Sequence, residues 1–286
     1  MPPFHIAIDV RRIRDFGIGT YIRNITRALA RLDRENRYTL VALPADLDQL
    51  EGLGPNFHST AYPQPDIGLK HNLQIPGFLA SLRAHLYHLP LNTVAWRMPR
   101  PYVLTIHDMS TLLFVGRKDI RQLLHEARFR RAALRAAHVI SVSNTMRRDI
   151  EDVLRVPSTR ISTIYNAPDP AFTALQDDGG PDRETLDRYS IHYPYILYAG
   201  NIRPRKNIPR LVEAFAVLLH ELERHPRYRD IRLVIIGDEL STNPAVRRAV
   251  AEAHIEPSVR FLGFVPIDTL RVFHRAAELF AFPSLY

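Results

Sequence analysis

Apolar residues come along this chain in short unbroken runs, and each run is followed by a stretch where they recur every three or four positions. A run bounded by turn residues predicts a strand covered on both faces, and the wider spacing predicts an amphipathic helix. Residues 5–10 form the first run. The first helix spans 18–32, with Ile18, Ile22, Ile25 and Leu29 on one stripe. A strand over 38–43 follows. From 44 to 76 the rhythm is broken by Pro44, Pro55, Pro63, Pro65 and Pro76, which predicts loops with short elements. It resumes with strands over 85–89 and 102–106, a basic helix over 120–137 and a strand over 138–142. A helix over 145–154, capped by Ser143 or Asn144, and a strand over 161–165 complete this half.

The stretch 166–181, rich in proline and glycine, predicts a junction that divides 1–175 from 176–286. The pattern then restarts with strands over 195–199, 233–236, 259–262 and 278–282, separated by helices over 209–223, 244–253 and 268–275. Leu211, Phe215, Leu218 and Leu222 share one face of the first of these helices. Strands alternating with helices predict an α/β protein: two Rossmann-like lobes with parallel sheets, a cleft between them, and ligands at the carboxyl ends of strands. No helix follows the last strand, which would leave an apolar sheet face bare. The second lobe is therefore expected to be incomplete and the sequence a fragment.

Composition works mainly by exclusion. Hydrophobic residues make up 46% and charged residues 24%, which is ordinary for a globular chain and excludes disordered or collagen-like classes. No apolar run reaches the ~18 residues of a spanning helix, and the N-terminus lacks the basic-then-apolar order of a secretory signal. Cysteine is absent, which removes disulfide scaffolds and thiolate zinc sites and is compatible with a cytoplasmic protein.

The net charge of +8 is unevenly placed: residues 1–175 carry 23 Lys+Arg against 15 Asp+Glu, and 176–286 carry 15 of each. Lys70, Lys118 and Lys206 are the only lysines, and such an arginine bias belongs to a GC-rich genome as much as to function. The position of the excess says more. A basic first half fits an anionic partner, either a phosphorylated substrate or the inner face of an anionic membrane contacted peripherally. The region 117–135 sets seven basic residues, Arg117 to Arg135, beside Leu123, Leu124, Phe129 and Leu134. It reads as a membrane-surface helix or as a core helix with a solvated basic face. Nucleic acid is not expected as a partner, because no recognition motif or aromatic-interleaved basic stretch accompanies the pI of 9.9.

Candidate chemistry gathers at strand ends. Gly17-Ile18-Gly19 follows the first strand and opens the first helix, so it is either an anion loop or a tight turn. Gly200 to Pro209 runs from a strand into a helix, with Asn207 placed to cap and Pro209 in the first turn. Arg203, Arg205 and Lys206 crowd the positive end of that helix, which reads as a site where a bound diphosphate resolves the conflict or as a solvated basic loop whose charges point away. His107 and Asp108 follow the strand 102–106, where an aspartate-oriented histidine can meet a sugar hydroxyl or simply cap a turn. Asp46-Leu47-Asp48 has the D-x-D form of metal-dependent sugar transferases but reads as a helix start, and no cluster has metal-ligand spacing.

These stretches in order resemble the retaining glycosyltransferases of family 4, with the GT-B fold. The others that carry the resemblance are residues 8–9, 105–106, 142–144, 164–166, 233–238, 261–265 and 280–286. The resemblance implies a nucleotide diphosphate sugar bound by the second lobe. Arg205 and Lys206 would hold the diphosphate and His107 would stand near the transferred sugar, the three catalytic residues. Gly17, Gly19, Asn144, Gly200, Asn207, Gly237 and Val265 would line the donor. It implies no cofactor and no metal, GDP-mannose as donor, a glycan or lipid-linked acceptor, and polysaccharide biosynthesis. The family's glutamate-rich segment follows a motif like the chain's last residues, so the chain by itself is expected to be inactive. A non-catalytic nucleotide-sugar or phosphosugar binding protein is the alternative.

Overall fold

The computed structural model describes residues 3–64, 68–90, 94–95, 97–113, 120–173, 180–237 and 243–286. The chain forms two compact units, Met1–Asp169 and Pro170–Tyr286. The first contains β1 (His5–Asp9), α1 (Gly17–Leu32), β2 (Arg37–Ala42), β3 (Phe57–Ala61), α2 (Leu69–Ser81), β4 (Leu86–Leu89) and β5 (Tyr102–Ile106). It continues with α3 (Ser110–Leu113), α4 (Ile120–Arg135), β6 (His138–Ser141), α5 (Asn144–Asp149) and β7 (Ile161–Thr163). Its seven-stranded sheet has the order β3-β2-β1-β4-β5-β6-β7, parallel throughout. The strand order reverses at β1, between β2 and β4. In such sheets the crevice beyond the carboxyl ends at the reversal is where ligands sit.

The second unit contains α6 (Pro170–Thr173), α7 (Gly180–Arg188), β8 (Tyr195–Ala199), α8 (Ile208–Leu222), β9 (Arg232–Ile236), α9 (Pro244–Glu252), β10 (Val259–Gly263), α10 (Ile267–Ala276) and β11 (Leu279–Phe280). Its sheet is parallel in the order β10-β9-β8-β11, with the reversal between β8 and β11.

The strands look unbroken in sequence because both faces are covered. Along β8, Ile196 and Tyr198 join one core with Ile208, Val212 and Phe215 of α8. Tyr195 and Leu197 join another with Val265 and Phe273 on the opposite face. Each large side chain so buried contributes about 1.5–3 kcal/mol. Tyr195 keeps its hydroxyl satisfied inside by donating to Phe273 O at 2.7 Å.

Three expectations change. The stretch 44–76 is more regular than its prolines suggest: a 3-10 helix at Pro44–Leu50, β3, and the start of α2, which runs through Pro76. β3 is an edge strand with mostly exposed or half-buried residues, so it carries no apolar run to announce it. The helix after β6 is α-helical only to Asp149 and widens into a π-helix over Ile150–Leu154. Of its two candidate caps, Ser143 takes the role, its Oγ accepting from Met146 N at 3.0 Å. The last strand is short, although Glu278 N and Ala281 N extend its bonding to Tyr195 O and Leu197 O.

Candidate functional site

In the first unit, β1 ends in a buried ion pair. Arg11 donates from Nε to Asp9 Oδ1 at 2.9 Å and from Nη2 to Oδ2 at 2.5 Å, while Nη1 reaches Gln64 O at 3.0 Å. Both side chains are almost wholly enclosed, and removing either partner would strand a charge in the interior. The pair fixes the turn that leads to α1. There the two glycines differ. A Cβ on Gly19 would lie 2.5 Å from Ile13 O, so the backbone itself requires glycine. A Cβ on Gly17 would meet nothing within 4 Å, so at this position the surface is open.

His107 sits just past β5, and two side chains, Tyr21 and His88, converge on it or on Thr105 two residues earlier. The Tyr21 ring of α1 meets the His107 ring edge-on, centroids 4.7 Å apart. Thr105 Oγ1 bonds His88 Nε2 at 2.8 Å and lies 3.4 Å from the Tyr21 hydroxyl. Burial pushes the His107 imidazole down to about 4, against the pull of Asp108 and of a bond to the Pro90 carbonyl. Burial, with His107 nearby, pushes His88 to about 4 as well. Both rings are therefore neutral at neutral pH. With its donor directed to Pro90, His107 is left with Nε2 as an acceptor, and that atom is buried with no partner among the described residues. A neutral ring so placed can take a hydrogen bond from a sugar hydroxyl. Asp108 does not orient the ring by a hydrogen bond. Its Oδ1 accepts from Ser110 N at 3.0 Å and Oγ at 2.8 Å, tying down the start of α3.

In the second unit the reversal point lies at the end of β8, and the basic loop occupies it. Pro204–Lys206 is a 3-10 turn leading straight into α8. Asn207 stands at the capping position but makes no side-chain cap bond. A capping side chain needs extended backbone, and Asn207 is left-handed, with φ 57° and ψ 36°. Asparagine tolerates that conformation, which is what the turn uses.

Lys206 Nζ lies 4.4 Å from the centre of the Phe282 ring, and Phe282 stacks on Tyr198. Arg205 O accepts from Leu285 N at 2.9 Å, so the chain beyond β11 straps the loop from outside. Gly200 and Gly237 end β8 and β9. A Cβ on Gly237, where φ is 155°, would overlap Gly200 O. The two glycines let these strand ends close up beneath the basic turn.

Of the remaining candidates, Asn144 is exposed at the start of α5, just past β6. Val265 is buried in a core of the second unit, so its side chain is structural. Asp46 is buried and paired with Arg14, which gives the D-x-D carboxylate a structural partner. Among the described residues no group of three or more His, Asp or Glu could hold a metal ion. Arg117, Lys118 and Asp238 lie outside the described residues.

No individual role was expected for Tyr21, His88, Thr105 or Phe282, although Thr105 and Phe282 lie in stretches that carry the resemblance. His88 was open to discovery, being a polar residue near the carboxyl end of a strand as His107 is. Tyr21 stands inside the first helix, and nothing in the spacing marks it for the site.

The family profile for "Glycosyltransferase Family 4" matches residues 17–172, and that for "Glycosyl transferases group 1" matches 188–286. The serotype-specific mannosyltransferase WbdA of Escherichia coli is 26% identical over 204 residues, 69% of this chain and 24% of the relative. The O-antigen chain mannosyltransferase B of Escherichia coli is 27% identical over 215 residues, 73% of this chain and 53% of the relative. The chain thus spans a quarter to a half of these relatives' lengths. Among solved structures, Anabaena Alr3699/HepE in complex with UDP-glucose superposes with a TM-score of 0.70 at 15% identity, covering 98% of this chain and 74% of that one. At that identity the likeness concerns the fold, which is of the GT-B type.

Proposed function

The chain belongs to glycosyltransferase family 4, and from that premise we propose that it moves a hexose, mannose by preference, from a nucleotide diphosphate sugar to a hydroxyl of a glycan or lipid-linked acceptor, with retention. The observation that carries the reading is the turn Pro204–Lys206, two cations delivered to the N-terminus of α8 at the reversal point of a parallel sheet. Cations at that end of a helix are unfavourable alone and favourable around an anion.

In the proposed step the bond from the sugar's anomeric carbon to the diphosphate breaks as a bond to the acceptor oxygen forms on the same face. The acceptor proton passes to the departing phosphate. Arg205, Lys206 and the first turn of α8 stabilise the charge that develops on the diphosphate. His107, neutral and with Nε2 as acceptor, holds a hydroxyl of the transferred sugar. The preference for mannose is supported by relatives named mannosyltransferases at 26–27% identity. The step asks for no divalent ion, so transfer is expected to persist in EDTA.

The test, made with a full-length version of the protein, compares sugar transfer from GDP-mannose and UDP-glucose, with calorimetry of GDP binding beside it. Mannose transfer is expected. A charge-assisted hydrogen bond is worth roughly 1.5–3 kcal/mol, so Lys206→Ala should weaken GDP binding roughly 10- to 100-fold. His107→Ala should lower turnover and leave GDP affinity nearly intact. Unchanged affinity in the lysine variant would refute the diphosphate site. Tight donor binding without transfer would favour the non-catalytic alternative.

A further inference from the structure

We propose that Phe282 is a positioning residue for the diphosphate site, its ring face holding the Lys206 ammonium where the anion binds. The inference rests on the reading of Pro204–Lys206 as that site, and it adds the means by which the lysine is placed. The backbone of the turn is pinned: Lys206 N donates to Arg203 O at 2.8 Å and Asn207 N to Pro204 O at 3.1 Å. The side chain needs separate support. A lysine stem is long and flexible, and ordering it during binding costs affinity. The Phe282 ring, with its centre 4.4 Å from Nζ, gives the ammonium a fixed seat. That separation is inside the ~6 Å reach of a cation–π attraction.

The ring is itself held. It stacks on Tyr198 with centroids 5.9 Å apart and planes at 10°. Tyr198 is fully buried, and its hydroxyl donates to Asn201 O at 2.9 Å. The backbone is bound before and after Phe282, Ala281 N donating to Leu197 O at 2.8 Å and Leu285 N to Arg205 O at 2.9 Å. The second of these bonds ties the segment that carries the ring to the residue next to Lys206. A Cβ on Gly200 would lie 3.8 Å from Phe282 Cε2, so the ring stands beside the carboxyl end of β8, where the basic turn begins.

An aromatic seat has a chemical consequence. A carboxylate would also hold an ammonium, but it would bring a negative charge towards the diphosphate. A phenyl ring attracts the ammonium through its quadrupole and carries no net charge. The ammonium has three N–H donors, so a ring and an anion can share it from different sides. Phe282 thus orders the lysine ahead of binding without opposing the ligand.

Calorimetry of GDP binding to a full-length version of the protein tests this role. Phe282→Leu should weaken binding roughly 3- to 10-fold, and Phe282→Tyr, which restores the ring, should recover most of that loss. Fluorinating the Phe282 ring keeps its shape and drains charge from its face. Affinity should therefore fall stepwise with each added fluorine while thermal melting stays level, a response that packing alone would not give. In a Lys206→Ala background the same changes should have no further effect. Affinity that is lost with Lys206→Ala but indifferent to fluorination would overturn the role of Phe282 and leave the diphosphate site standing. Affinity indifferent to Lys206→Ala would overturn the site itself, and this role with it.

Discussion

His88 and His107 are neutral by virtue of where they are buried, and that makes the first unit sensitive to acid. An unfolded chain protonates both rings near pH 6.5, while the folded chain resists until about pH 4. Between those values the unfolded state binds more protons. Stability is therefore full above about pH 6.5 and falls as the pH drops towards 4. A pKa unit is worth about 1.4 kcal/mol, so each ring contributes up to about 3 kcal/mol, and less where the two are coupled. The urea midpoint of the first unit should fall between pH 7.5 and pH 4.5, and His88→Gln should make that fall shallower. A midpoint that stays flat would mean the rings take up protons in the folded state. At this scale the sequence showed which polar residues follow strands, and so put His107 after β5 and Arg205 and Lys206 after β8. It did not show that Thr105 Oγ1 gathers His88 and Tyr21, because that junction brings together residues 17 and 84 positions apart.

Elements were most legible where an apolar run met a turn residue. β8 and β9, each ending in a glycine, are the clearest instances, and β3 at an exposed edge and α2 across Pro76 are the least clear. The glycines separate positions required by the fold from positions open to a ligand. Gly237→Ala should destabilise the second unit by more than about 2 kcal/mol, because it forces a methyl into a neighbouring carbonyl at a left-handed backbone. Gly19→Ala should similarly harm the first unit. Gly17→Ala, in open space at the start of α1, should be neutral or stabilising by up to about 1 kcal/mol. Thermal melting of the three variants would check the order. A stable Gly19→Ala protein would show that the α1 turn can relax, and would return Gly19 to the group of glycines explained by a ligand.

For the whole molecule, the alternation of strands and helices was enough to read two parallel-sheet units, because a parallel sheet needs a crossover between every pair of strands. The strand orders were not legible, since the crossover lengths do not say on which side the chain returns. That order has a consequence in time. β1 is made before the other described strands and lies inside its sheet, yet one of its neighbours, β4, lies about eighty residues downstream. At about 5–20 residues per second, a ribosome needs roughly 4–16 s to deliver it. Through that interval one edge of β1 has no native partner, with Ile6 and Ile8 beside open backbone groups. Ribosome-bound chains halted before Leu86–Leu89 clears the exit tunnel should therefore be cut readily by protease within His5–Asp9. Protection should begin only on longer chains. The first of the described strands is thus kept waiting for its partner, and the nascent chain depends on whatever shields that edge meanwhile.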